Sequence, residues 1–139
     1  MTIDHSTRKE TVERILLGSA ILLCLTTSLN SGSGQVRGTD VERYSQQAEG
    51  ALARKDWEGA AAALEKLAQL TPEVAEVHGN LGMVYYSQGR MSQAAEAFQR
   101  ALKLNPKMSD AQLMLGICYV EIGRHQEAIP ILEPAFKKP

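Results

Sequence analysis

Between Val41 and the C-terminus, apolar residues recur three and four positions apart with charged or small polar residues between them, the spacing of one buried face on each of several short helices. Glycines and prolines punctuate that pattern. Gln88-Gly89-Arg90 and Ile122-Gly123-Arg124 each read as a tight turn between two antiparallel helices, because glycine adopts the left-handed backbone that ends a helix without steric cost. Pro72 and Pro106 mark where a second helix stops: proline has no N–H for the ladder and disfavours helix in the residue before it. Upstream the pattern changes. A polar, mixed-charge stretch, MTIDHSTRKETVER, leads into an unbroken apolar run from Ile15 to Leu25 and then into TTSLNSGSGQ.

The helical body repeats with a period of 34 residues, the separation of Pro72 and Pro106. Moved forward by one period, Leu81, Gly82, Tyr85, Gly89, Arg90, Ala94 and Ala101 fall on Leu115, Gly116, Tyr119, Gly123, Arg124, Ala128 and Ala135. Moved backward, the match thins to Ala48 under Gly82, Ala60 under Ala94, Leu64 under Phe98 and Pro72 under Pro106. Small residues at 82, 94 and 101 suit a close approach of the two helices within one repeat, and Leu81, Tyr85 and Phe98 are expected to fill the space between repeats. A 34-residue unit with L-G-x-x-Y, a later Ala, an aromatic or Leu, Ala and a closing Pro resembles the tetratricopeptide repeat family. The resemblance covers about Val41 to Pro139. It implies an all-α fold, an α-α solenoid of three helix-turn-helix repeats over 41–74, 75–108 and 109–139, behind an N-terminal apolar targeting segment.

Departures from the repeat pattern carry their own expectations. The first copy has Gln47 where the others have Leu81 and Leu115, and Ala51 where they have tyrosine, so its first helix buries less and serves as an end cap. The third copy carries Pro130 and Pro134 in its second helix, which should be kinked or short, since an interior proline costs about 3 kcal/mol or more. With no further polar helix in the sequence, the apolar face of the third repeat calls for a partner, a homodimer through that repeat, or a longer product.

The head, residues 1–30, has the order of an export signal: basic residues Arg8, Lys9 and Arg14, a short apolar run, then small residues at Ser31-Gly32-Ser33. Eleven apolar residues fall well short of the roughly 20 that span a bilayer core, which favours a cleaved signal and an exported protein, periplasmic or secreted. An uncleaved membrane tether through residues 15–29 is the alternative, and a cytosolic amphipathic helix the third reading; Asp4, Glu10 and Glu13 offset the basic charge. Leu23 before Cys24 does not suit lipidation. Residues 31–40 read as a Gly/Ser linker; Gly32, Gly34 and Gly38 miss the dinucleotide-loop spacing by one residue.

Composition adds little chemistry. Fifteen Lys and Arg against 16 Asp and Glu leave a formal charge of -1, which provides no field for nucleic acid. Cys24 and Cys118 support neither a disulfide framework nor a zinc site. His5 lies in the head, and His78 and His125 read as packing residues rather than ligands. No nucleophile, metal-ligand or phosphate-loop motif is present, so the expectation is a non-enzyme with no cofactor, no metal and no catalytic residue.

The resemblance also implies a concave groove lined by the first helix of each repeat, receiving an extended peptide or a helix of another protein. The family's groove positions fall on Glu42, Ser45, Gln46 and Glu49, on Glu76, Asn80, Met83, Tyr86 and Ser87, and on Asp110, Leu113, Met114, Ile117, Val120 and Glu121. Five carboxylates without a Lys or Arg among them favour a basic or apolar ligand, and Met83 and Met114 are expected to add deformable contact surface. Relatives that grip acidic chaperone tails use Lys, Arg and Asn there, and only Asn80 matches that set. The function expected is a non-catalytic interaction scaffold. The alternatives are a membrane-anchored assembly subunit of an envelope or secretion complex, and the repeat segment of a longer catalytic or regulatory polypeptide.

Overall fold

The computed structural model describes residues 34–136, so the apolar run and the signal expected around it lie outside the described residues. Six helices follow one another: α1 (Gly34–Ala53), α2 (Trp57–Leu70), α3 (Ala75–Ser87), α4 (Met91–Leu104), α5 (Ser109–Glu121) and α6 (His125–Phe136). Each packs on the next, and α3 also touches α5, so α1, α3 and α5 are the first members of three stacked pairs. α1 starts earlier than expected: residues 34–40, expected as linker, are helical. Asp40 and Arg43, one turn apart, form a 2.8 Å ion pair there, and Val41 and Tyr44 pack against the core, which gives this end of the helix something to hold.

The same turn closes each pair. Arg90 N–H donates to Tyr85 O at 2.9 Å and Gly89 N–H to Tyr86 O at 3.0 Å, the paired bonds of a Schellman turn with Gly89 at φ 75°. Gly123 repeats it at φ 78°, with Arg124 N–H on Tyr119 O. One period earlier Lys55 holds the same place at φ 58°, a conformation that disfavours any residue with a Cβ. Asp56 then caps α2 by accepting from Gly59 N–H at 3.0 Å, where the later repeats have Arg90 and Arg124.

Within a pair, glycine sets the approach. A Cβ at Gly82 would lie 2.8 Å from the Phe98 ring, so Phe98 sits on the glycine of its own repeat while its ring is enclosed in the common core. Gly116 faces Leu132 in the same way, and Ala48 and Leu64 hold the matching places in the first pair, both buried. Ala60, Ala94 and Ala101 are fully enclosed.

Between pairs, tyrosine makes the link. Tyr85 donates its hydroxyl to Glu65 Oε1 at 2.6 Å, and one period on Gln99 Nε2 donates to the Tyr119 hydroxyl. Burial, with the Glu65 carboxylate beside it, pushes the Tyr85 pKa up to about 12. Arg90 and Arg124 lie over the Tyr85 and Tyr119 rings with the guanidinium carbon 4.4 and 4.6 Å from the centroids. His78, expected as a packing residue, is buried and donates from Nε2 to Pro72 O at 2.9 Å; Gln112 does the same to Pro106 O at 2.8 Å. His125, given the same role, is exposed and starts α6 instead.

The two prolines of α6 do not end it. The helix runs through both to Phe136. Pro130 and Pro134 are four apart and exposed, so the carbonyls they leave without an N–H, those of residues 126 and 130, lie on one side of the helix with them and stay within reach of water.

Candidate functional site

The expected groove residues divide sharply by burial. Glu42, Glu49, Glu76, Asp110 and Glu121 are all exposed, as is Gln46. Leu113 and Val120 are exposed at 41% and 44%, and Tyr86, Ser87 and Ile117 are half-buried. Carboxylates and apolar side chains therefore share the first helices of the pairs, and the contact of α3 with α5 makes the surface continuous across the second and third repeats.

Met83 and Met114 fall elsewhere. At 3% and 5% exposure they belong to the core, and their thioethers are packing rather than adaptable contact surface. The reason is geometric: α3 and α5 each pack on more than one neighbouring helix, and a residue on a packed side is covered whatever its chemistry. Ser45 and Asn80 are covered as well, and neither Ser45 Oγ nor Asn80 Nδ2 has a protein partner. A buried amide of this kind carries an unused donor.

Cys118 is fully enclosed, and burial raises its thiol pKa to about 12, so it behaves as a small core residue with almost no thiolate at neutral pH. Among the described residues no three His, Cys, Asp or Glu side chains gather where they could hold a metal ion. Among them, too, no helix is long and apolar enough to cross a membrane.

Besides Leu104, exposed at 43% on α4, two apolar side chains not singled out from the sequence are exposed on α6: Ile129 at 61% and Phe136 at 77%. The signal that marks them is the 34-residue shift, which places Ile129 on Ala95 and Phe136 on Leu102, so both positions have grown in size.

A family model described as tetratricopeptide repeat matches residues 75–108, and a second of the same description matches 110–133. The chain is a tetratricopeptide-repeat protein. Neither match reaches the first helix pair, where Gln47, Ala51 and Lys55 replace Leu, Tyr and Gly. No curated protein matches the sequence. Among solved structures it is similar to the P58(IPK) tetratricopeptide domain (TM-score 0.70, 20% identity), covering 73% of this chain and 28% of that one. It is also similar to the TPR2B domain of yeast Sti1 in complex with pHsp70 (TM-score 0.63, 16% identity, 68% and 76% covered). A third is MamA from AMB-1 (TM-score 0.64, 22% identity, 93% and 61% covered). At these identities the likeness establishes the tetratricopeptide fold.

Proposed function

We propose that the tetratricopeptide repeats bind a basic and apolar segment of another protein along the exposed side of α1, α3 and α5. The observation that carries this is the pairing of exposed carboxylates at 42, 49, 76, 110 and 121 with the exposed apolar Leu113 and Val120, on helices that bear no Lys or Arg at the groove positions. A cationic peptide meets complementary potential there, and an acidic tail meets repulsion. The yeast Sti1 domain, in complex with pHsp70, is consistent with a protein ligand on this fold.

The test is fluorescence anisotropy of two labelled peptides of equal length, one of Lys and Leu and one of Glu and Leu. The basic peptide should bind at least tenfold more tightly, and the charge reversals Glu76→Lys and Asp110→Lys together should remove most of that preference, with salt weakening it throughout. Equal binding of the two peptides, or a preference that survives the reversals, would sink the reading.

Residues 1–30 are read with it as an export signal, on the strength of a short apolar run behind Arg8, Lys9 and Arg14. Intact mass of the protein recovered from cells decides that point: loss of about 30 residues supports export, and a full-length, detergent-dependent species favours the membrane-anchored assembly subunit.

A further inference from the structure

The repeat supplies an internal control for the outer face of α6. On α2 the face presented to the next repeat carries Ala61, Glu65 and Ala68, and on α4 it carries Ala95, Gln99 and Leu102; the matching stripe of α6 is Ile129, Glu133 and Phe136. Both earlier faces are covered by a helix whose tyrosine bonds the central polar residue, Tyr85 to Glu65 and Tyr119 to Gln99. Burial tracks the cover. Ala61 and Ala95 are each 3% exposed and Ala68 and Leu102 half-buried, whereas Ile129 is 61% and Phe136 77% exposed.

We propose that this third stripe is a docking surface for a helix of a partner protein, one that sets a tyrosine hydroxyl against Glu133 between apolar side chains that cover Ile129 and Phe136. A second copy of the chain fits poorly in either arrangement. Head to tail, α1 would bring Arg43 and Gln47 to the places where α3 has Val77 and Leu81, and Ala51 to the place of the tyrosine. In a two-fold pair the stripe would pack on itself, and Glu133, flanked four residues before by Ile129 and three after by Phe136, would meet its own counterpart as a like charge. The surface is separate from the acidic groove, so either reading can fail alone.

The probe is the full chain extended after Pro139 by a second copy of residues 72–108, which keeps the 34-residue period by placing Pro72 at position 140 and offers α6 the helix bearing Leu81 and Tyr85; tethering keeps the effective concentration near millimolar. The extended chain should melt several degrees above the parent, with added hydrogen-exchange protection in α6. Glu133→Ala, or Tyr→Phe in the added copy, should each remove part of the gain, and the two together little more than either alone, because they break one contact. An unchanged melting temperature with unprotected α6, or strictly additive losses, overturns the proposal. So does a concentration-dependent dimer of the parent chain that Phe136→Glu returns to monomer, since that assigns the face to a second copy.

Discussion

The middle and third repeats are built from matched residues and buried to different degrees. Leu81, Gly82, Tyr85, Gly89 and Arg90 recur as Leu115, Gly116, Tyr119, Gly123 and Arg124, and each repeat forms the same helix pair with the same turn. Yet α4 lies between α3 and α5, whereas α6 has a neighbour on one side among the described residues. Phe98 is consequently 1% exposed and its counterpart Leu132 half-buried. Local sequence sets the turn and the close contact, and the number of neighbours sets how much those contacts stabilise.

The largest expected effect breaks that pairing at its centre. Phe98→Ala should cost about 3–5 kcal/mol, because the ring fills the space over Gly82 in a region enclosed on all sides and little can collapse into the void. Leu132→Ala removes the equivalent contact over Gly116 but leaves α6 free to settle, so its cost should be about half as great. Urea melts of the two variants check the order; equal losses would mean that α6 is held as firmly as α4.

A smaller effect comes from the glycines beneath those side chains. Gly82→Ala places a methyl 2.8 Å from a rigid, buried ring, and overpacking of about 1–3 kcal/mol should outweigh the gain of up to about 1 kcal/mol in helix propensity. At Gly116 the obstacle is Leu132, whose Cδ2 and Cγ both lie too close to an added methyl, the Cγ at 2.6 Å, but on a half-buried, one-sided helix. The whole side chain must turn at its first torsion, which that open side permits, so Gly116→Ala should cost less than Gly82→Ala. Thermal melts of both alanine variants sharpen the contrast, which disappears if Gly116→Ala is as damaging as Gly82→Ala.

Much of this architecture was legible in the sequence because it depends on residues whose chemistry admits few alternatives. Gly89 and Gly123 fixed the turns, Pro72 and Pro106 the stops, and the 34-residue spacing the order of the pairs. The groove was less legible. A position on the first helix of a repeat can face solvent or a neighbouring helix, and nothing in Met83 or Met114 as residues distinguishes the two; the packing of the helices does. The start of α1 was hidden for a related reason: Gly34 and Gly38 have the composition of a linker, and helix there depends on the packing of Val41 and Tyr44 one to two turns further along. The prolines of α6 were expected to kink or shorten it, and at 12 residues it is the shortest of the described helices; it persists through both because an exposed pair on one face leaves its carbonyls to water.

The first repeat offers the finest test of what the later two share. Lys55 occupies the left-handed position that Gly89 and Gly123 fill, at φ 58°. Holding a residue with a Cβ there costs roughly 1 kcal/mol or more, and glycine would relieve the strain while giving back some entropy in the unfolded chain. Lys55→Gly should therefore stabilise by about 0.5–1 kcal/mol, a rise of a few degrees in melting temperature for a domain of this size. Because the lysine side chain also makes an interaction of its own, Lys55→Ala serves as the control: it deletes the side chain and keeps the strain, so the difference between the Gly and Ala variants isolates the backbone. The reverse change, Gly89→Ala, meets nothing within 4 Å of the added Cβ, and its loss should match that difference in size. If Lys55→Gly is no more stable than Lys55→Ala, the first turn is not strained, and the first repeat departs from the other two in its Asp56 cap and in what its helices bury, not in its backbone.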